Sequence, residues 1–292
     1  MKICAGTSGY SYDYWASWRA GIQNFFPENV KKTDWLEYYS LHCNSIEINC
    51  TRYRKLRPTD CEKWYNAVDH NPNFTFVIKV DTYVTHKKKL VDISEWWENM
   101  KTCISELHEK FFCLLFQFPP AFKKTDKNLY KLEQLAKLVK KVKCAFEFRD
   151  LAWYKTDDEL YTRQKKIFLR TRWTVVTLHV PEVRGHETNF GNLPGGIHSF
   201  RQAKKKFVYH RFHGTISYSS GLYSREYIKN VLDTLPKKTR WAGFYFNNVD
   251  TFNQEGIEES VPYNFIIPVH VQLYPSAIQD CLYIDSISRE LA

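Results

Sequence analysis

Residues 111–120 read FFCLLFQFPP, an almost continuous apolar run that stops at two prolines. A run of this kind is typical of a strand that is buried on both faces of a parallel sheet. Proline cannot continue the hydrogen-bond ladder, so the strand ends there. Gln117 is the only polar side chain of the segment. The segment predicts a buried parallel strand that carries one polar group near its carboxyl end.

Seven other apolar runs of similar length occur along the chain, and the segments between them read as amphipathic helices. The eight predicted strands cover residues 2–6, 45–49, 74–79, 112–117, 144–149, 173–179, 207–213 and 242–247. Strands that alternate with helices favour a parallel sheet, and eight such units predict a closed (β/α)8 TIM barrel. We expect a single domain over residues 1–292, with an irregular insertion at about 249–275 before a last helix.

The composition is that of a compact globular chain. Hydrophobic residues make up 43% and aromatic residues 16% of it, and the eight cysteines are scattered without a CxxC pair. Scattered cysteines of this kind are typical of reduced, buried thiols rather than of a disulfide framework or a zinc finger. The sequence shows neither a signal-peptide core nor a stretch long enough to span a bilayer. We therefore expect a cytoplasmic protein with no membrane partner.

The net charge is +10, and part of the excess lies in residues 123–143, which hold eight lysines against Asp126 and Glu133. Leucines and valines recur there at helical spacing, so the lysines are predicted to decorate the outer face of a helix. One interpretation is an ordinary solvated helix face. The other is a footprint for nucleic acid, because basic faces attract phosphate backbones.

The polar residues at the strand ends form the candidate site, because ligands of TIM barrels bind at the carboxyl ends of the strands. Carboxylates and imidazoles exchange protons, guanidinium groups hold phosphate or carboxylate, and aromatic rings wall a cleft. The predicted catalytic residues are Glu47, Glu147 and His213. The predicted substrate-binding residues are Asn49, Lys79, Gln117, Arg149, Arg211, Asn247, Asn248, Tyr12, Trp153, Tyr218 and Tyr223.

These residues also admit other interpretations. Glu47 and Glu147 would equally form a buried ion network with neighbouring lysine and arginine residues, since buried charges need partners. Glu47, Glu147 and His213 are donors that suit a single divalent metal, but too few strand-end donors exist for a multinuclear zinc centre, and we assign no metal ligand. The sequence GTSGYSY at residues 6–12 is not a dinucleotide fingerprint, and no P-loop is present, so no nucleotide cofactor is indicated.

Seven short motifs occur in one order along the chain. They are GTSGYSY (6–12), EINCTRYR (47–54), FQFPPAF (116–122), FEFRDLAWY (146–154), RFHGT (211–215), YSSGLYS (218–224) and FNN (246–248). In this set and order the chain resembles the YecE-like family, a domain-of-unknown-function family. The resemblance covers the chain from its start to Asn248. Strand six departs from it, because it ends in TLHVPE at residues 177–182.

The resemblance implies the TIM-barrel fold and leaves the activity open, since fold does not imply function. The endonuclease-IV and xylose-isomerase type of barrel suggests metal-assisted chemistry by analogy. Our leading hypothesis is an enzyme, a hydrolase or a lyase, that binds a phosphorylated or otherwise anionic small molecule. The alternatives are a nucleic-acid-processing enzyme that hydrolyses phosphodiesters with one metal, and a non-catalytic barrel that binds a small ligand. The sequence does not determine the oligomeric state.

Overall fold

The protein contains two five-stranded sheets, as seen in a computed structural model that describes residues 1–16, 25–49, 55–182, 190–200, 206–215, 217–247 and 275–290. The strands are β1 (Lys2–Thr7), β2 (Ser45–Ile48), β3 (Thr75–Lys79), β4 (Phe111–Gln117), β5 (Cys144–Glu147), β6 (Trp173–Val175), β7 (Thr177–Val180), β8 (Gly196–His198), β9 (Phe207–Phe212) and β10 (Trp241–Phe246). The first sheet has the order β1-β10-β9-β7-β8, and the second has the order β2-β3-β4-β5-β6.

Helices separate most of the strands. They are α1 (Trp35–Ser40), α2 (Pro58–Ala67), α3 (Ser94–Ser105), α4 (Asp126–Val139), α5 (Tyr161–Arg170), α6 (Arg225–Asp233) and α7 (Ser276–Glu290). The side-chain oxygens of Thr125 and Ser224 accept backbone N–H bonds and cap α4 and α6, as short hydroxyl residues do at helix starts. No helix of the described ranges is both long and apolar enough to cross a bilayer.

The expectation of one closed eight-stranded barrel is wrong, because the strand pairing divides into two sheets. Between β1 and β2, backbone N–H groups of β1 bond to side chains instead of to the backbone of β2. The N–H of Ala5 donates to Asn44 Oδ1 at 2.8 Å, and the N–H of Thr7 donates to the Tyr39 hydroxyl at 2.8 Å. Tyr39 in turn donates to the carbonyl of Ser45 at 3.0 Å. Within the described residues, one parallel backbone bridge, Ser8 with Glu47, connects this part of the chain with β2.

The second division lies inside the predicted strand 173–179. Its first half, β6, pairs with β5, and the N–H of Val176 still donates to the carbonyl of Phe146. From Thr177 onward the chain pairs with β9 instead. The strand therefore changes sheets at this point. The first sheet is also mixed, because β8 runs antiparallel to β7.

An aromatic stack outside β4 and β5 fixes which side chains point inward. Phe116 and Phe146 stack with ring centroids 5.1 Å apart, and Phe148 stacks on Trp153 at 3.9 Å. Successive strand residues face opposite ways, so the polar residues between these rings, Gln117 and Glu147, lie on the other face. They are register partners in the β4–β5 ladder. The apolar packing thus places the polar side chains at the carboxyl ends of the strands.

Close approach of β1 and β2 requires glycine at position 6. A Cβ built on Gly6 would lie 2.0 Å from the carbonyl oxygen of Ser45, which belongs to the backbone of β2. At Gly243 in the neighbouring β10, the nearest atom to such a Cβ is on the Tyr245 ring, at 2.9 Å. A ring can rotate away, whereas the strand backbone is held by its ladder with β3.

We predict that Gly6→Ala lowers the free energy of unfolding by about 3 kcal/mol, and Gly243→Ala by less, roughly 1 kcal/mol, since overpacking costs more where the neighbour cannot shift. Urea denaturation followed by far-ultraviolet circular dichroism measures both variants. Equal losses in the two variants would contradict the tight seam between β1 and β2.

Candidate functional site

Arg211, at the end of β9, is the centre of the site and is 2% exposed. Its Nη1 donates to Glu147 Oε2 at 2.5 Å, and its Nη2 donates to Glu47 Oε1 at 2.8 Å. Nη2 also donates to the Ser8 hydroxyl at 2.7 Å. One guanidinium group therefore joins the carboxyl ends of β9, β2 and β5 with the loop that follows β1.

The two carboxylates beneath the site are fully buried and are acceptors of several hydrogen bonds. Glu47 Oε1 also accepts from the Ser8 hydroxyl at 2.5 Å, and its Oε2 accepts from the Tyr209 hydroxyl at 2.8 Å. Glu147 Oε1 accepts from Arg149 Nε at 2.5 Å and forms an ion pair with the same guanidinium. All four carboxylate oxygens thus have a donor, as buried charges require.

The ionisation of Glu147 follows from these contacts. Burial alone would raise its pKa, but the neighbouring guanidinium groups of Arg149 and Arg211 outweigh burial and hold the pKa far below the ordinary 4.5. An ionised carboxylate held by two arginines has no proton to give and is a weak base. The geometry therefore favours an electrostatic role for Glu147, in which it orients the two arginines.

A cavity of about 790 Å³ opens above this network at the carboxyl ends of the strands. Eight of the predicted site residues line it: Tyr12, Asn49, Lys79, Gln117, Arg149, Arg211, Tyr218 and Asn247. Glu47, Glu147 and His213 do not line it and lie beneath its floor. Asn248 lies outside the described residues. The volume is in the range of sites for small molecules.

Lys79, the last residue of β3, is the cation of the cavity whose pKa is lowered toward neutral pH. Its burial disfavours the charged form, Arg211 and Arg149 repel it, and the two carboxylates oppose these effects only in part. Together they lower the pKa of Lys79 to about 8. The amine therefore gains and loses its proton close to neutral pH, as groups that transfer protons do.

His213 is fully buried beneath the floor of the cavity. The ring of Tyr218 stacks on it with centroids 5.7 Å apart, and the Asn247 amide nitrogen lies 3.4 Å from its Nδ1. Its Nε2 has no hydrogen-bond partner among the described residues. Burial, with Arg149 and Arg211 nearby, lowers the pKa of His213 well below the ordinary 6.5, so the ring is neutral.

Two predicted aromatic walls lie away from the cavity. Trp153 is fully buried, and its indole nitrogen donates to the carbonyl of Phe122 at 2.8 Å. Tyr223 is also buried, and its hydroxyl bonds to both the carbonyl and the N–H of Gly214. Gly214 itself has a φ of 102°, and a Cβ there would lie 2.2 Å from the carbonyl oxygen of Ser220. At Gly214 the chain therefore approaches its own backbone closely.

Several lining residues were missed in the sequence. Ser8 is a hub of the network, since it donates to Glu47 and accepts from Arg211 and from Asn49. Thr82 and Thr85 line the cavity because the segment after β3 turns into a π-helix, Tyr83–Lys87, while Trp64 reaches it from α2. Strand periodicity gives no signal for residues supplied by such a loop.

The donors proposed for a single metal are already engaged. Both oxygens of Glu47 and of Glu147 accept bonds from arginine, tyrosine or serine. Across the described residues, no group of three or more His, Cys, Asp and Glu side chains is placed to hold a metal ion. The carboxylates act as counter-ions of the arginines, which is the buried ion network weighed as an alternative.

The fold and the site together define an α/β protein with mainly parallel strands and a ligand-sized, cationic cavity at their carboxyl ends. Residues 4–259 match the family described as "Protein of unknown function DUF72". The chain belongs to this family, of which YecE-like is a synonym, so the resemblance read from its motifs is confirmed at the level of the family.

Known relatives agree with this assignment. The UPF0759 protein YunF of Bacillus subtilis (strain 168) is 26% identical over 137 residues, which are 45% of this chain and 48% of that protein. The chain thus matches about half the length of that relative. A DUF72 family protein of Thermotoga maritima MSB8 superposes with a TM-score of 0.69 at 24% identity, over 99% of this chain and 100% of that one.

A DUF72 family protein of Enterococcus faecalis V583 superposes with a TM-score of 0.68 at 19% identity, over 99% of this chain and 96% of that one. At these identities the two structures show a shared fold and no more.

We predict that Glu147→Gln lowers the free energy of unfolding at pH 7 by about 3–5 kcal/mol, because it leaves two buried guanidinium groups short of one counter-ion. The stabilisation from Glu147 is complete above the ordinary pKa of 4.5 and declines as pH falls toward the lower pKa of the folded state. The difference in unfolding free energy between wild type and variant should therefore become smaller from pH 7 to pH 3, as measured by urea titration.

The matched control is Glu133→Gln. Glu133 pairs with Arg163 at 2.9 Å, but both side chains are about one-third exposed, and surface pairs contribute little. We expect only a small change for this variant at either pH. If the difference in unfolding free energy between wild type and Glu147→Gln stayed constant with pH, the ionised state of Glu147 would be contradicted.

Proposed function

We propose that the cavity binds a small molecule bearing a phosphate or carboxylate group, and that the protein is an enzyme that transfers a proton on this ligand. The observation that carries the proposal is the charge balance at the cavity floor. Three cations line the cavity, namely Lys79, Arg149 and Arg211. Among the described residues, two carboxylates, Glu47 and Glu147, lie beneath them. The described part of the site therefore carries a net positive charge, which favours an anionic ligand.

The walls support a ligand with a flat or sugar-like portion as well as its anionic group. Tyr10, Tyr12, Trp64 and Tyr218 contribute aromatic rings to the cavity, and Asn49, Gln117 and Asn247 contribute amides. Aromatic faces pack on the apolar faces of rings, while amides bond to hydroxyl groups. A few polar groups within an otherwise aromatic wall are typical of sites that fix the orientation of a small molecule.

Lys79 is the group that we propose for proton transfer. Its pKa of about 8 lets it act in either protonation state near neutral pH, whereas Glu147 is held ionised and His213 lies beneath the floor. Arg149 and Arg211 would hold the anionic group, since guanidinium groups bond to two oxygens at once. Glu47 and Glu147 would position these arginines through their buried ion pairs.

We predict that Lys79→Met weakens binding of an anionic ligand by about tenfold or more, the value of one charge-assisted hydrogen bond. Isothermal titration calorimetry would use inorganic phosphate, phosphorylated sugars and carboxylic acids, with the unphosphorylated sugars as neutral controls. Lys101→Met is the matched control, because Lys101 pairs with Glu98 on the outer surface of α3.

The same proposal fixes a pH dependence. The charged amine of Lys79 attracts an anion and is lost as pH rises through about 8, so wild-type affinity should fall between pH 7 and pH 9. The Lys79→Met variant should lack this fall. Equal affinity of wild type and variant for every anion that binds would overturn the proposal.

A further inference from the structure

The starts of the strands, at the opposite end from the cavity, carry an unbalanced positive charge. Residues 140–143 before β5 hold three lysines, residues 170–172 before β6 hold two arginines, and residues 237–240 before β10 hold two lysines and one arginine. Lys2 and Lys206 lie at the starts of β1 and β9. No acidic residue occurs in these segments. We call this surface the basic face.

These strand starts are neighbours in space. β5 pairs with β6, β6 packs against β9, and β9, β10 and β1 pair in that order. The N–H of Lys2 donates to the carbonyl of Arg240 and the N–H of Arg240 donates to that of Lys206, each at 2.8 Å. Neighbouring strands lie about 4.8 Å apart, so five strand ends span roughly 20 Å.

Nearly all cations of the basic face are exposed, and within the described part of the chain they have no carboxylate partner. All of them are exposed except Lys143, which is half-buried with its Nζ 4.0 Å from the centre of the Trp241 ring. None forms an ion pair with a described carboxylate. Away from the basic face, in contrast, α4 and α5 are joined by ion pairs. Arg163 of α5 pairs with Asp126 and Glu133 of α4.

The charge is confined to one half of this end of the molecule. Residues 68–74 and 106–110, which precede β3 and β4, hold Asp69, Glu106 and Glu109. The burial of Lys143 and the nearby charges of Lys2 and Arg172 lower the pKa of Lys143, which shows how closely the cations are placed. A solvated surface without a partner would be expected to intersperse both signs of charge.

The basic face also has a concave part. The carboxyl ends of α4 and α5 border a cleft of about 450 Å³, which is lined by Lys137, Lys140, Lys141, Arg170 and Arg172 together with Ala136 and Thr171. A phosphodiester backbone is a ridge of regularly spaced charges that can enter such a cleft, whereas a bilayer presents a flat surface. Duplex DNA carries one charge per ~1.7 Å with both strands counted, so a length of roughly 20 Å holds about twelve phosphates, of which the basic face meets those on its side.

We infer that the basic face is a binding surface for the phosphate backbone of nucleic acid, separate from the cavity at the other end of the strands. Its contacts are lysine and arginine charges on phosphates, which position a nucleic acid without reading its sequence. Binding would therefore be strong at low salt, independent of base sequence, and steeply weakened by added salt.

The test is fluorescence anisotropy of a labelled DNA duplex of about 20 base pairs between about 50 and 200 mM KCl. We compare Lys141→Glu/Lys237→Glu on the basic face with Lys63→Glu/Lys127→Glu on α2 and α4, where both lysines are exposed as well. The two double variants change the net charge equally. We expect the first to weaken binding about tenfold or more and to reduce the salt slope by about 2, and the second to change Kd less than twofold.

Equal weakening in both double variants, or no binding at the lowest salt, would overturn the inference. Preferential binding to anionic phosphatidylserine vesicles over the duplex would overturn it too and would favour a membrane surface. Thermal melting of all variants checks that they are folded. Lys79→Met should leave duplex binding unchanged. The duplex test is therefore independent of whether the cavity binds an anion.

Discussion

The guanidinium group of Arg211 holds the two sheets together at their carboxyl ends. Arg211 belongs to the first sheet, and both of its carboxylate partners, Glu47 and Glu147, belong to the second. Backbone hydrogen bonds contribute little at the seam next to it, where β1 and β2 share one bridge within the described residues. Because a buried charge without its partner costs several kcal/mol, each of these three residues constrains the other two. The cavity floor therefore has a fixed shape before any ligand arrives.

This network also separates the tasks of the charged residues. Glu47 and Glu147 form ion pairs with arginine residues, and the two arginines, Arg149 and Arg211, also line the cavity. Lys79 adds a third cation to the cavity, and its lowered pKa follows from its burial and from the neighbouring charges of Arg211 and Arg149. In the sequence, Glu47 and Glu147 suggest acid–base chemistry, but in the structure they hold the arginines of a cationic site. Lys79 beside them is the residue with a pKa near neutral pH.

Local patterns predicted much of this arrangement and failed where distant residues intervene. Period-two alternation in FQF and FEF placed Gln117, Glu147 and Arg149 on the polar face, and the structure brings them together. The division into two sheets could not be predicted, because it depends on Asn44 and Tyr39, which lie outside the strands and insert their side chains between β1 and β2. Trp153 lies in the segment after β5, yet its ring is buried against Phe148 in the aromatic stack outside β5 rather than in the cavity.

The pairing of β1 with β10 has a consequence for the order in which the chain folds during synthesis. All strands of the second sheet come from residues 45–175, a contiguous stretch whose neighbouring strands follow one another in sequence. β1, in contrast, pairs Lys2 with Trp241, so β1 leaves the ribosome long before its ladder partner β10 has been made. Such a contact of high sequence separation forms slowly. β1 therefore lacks its ladder partner until β10 has been made, and Tyr39 and Asn44, made soon after β1, are the first residues able to bond to its backbone.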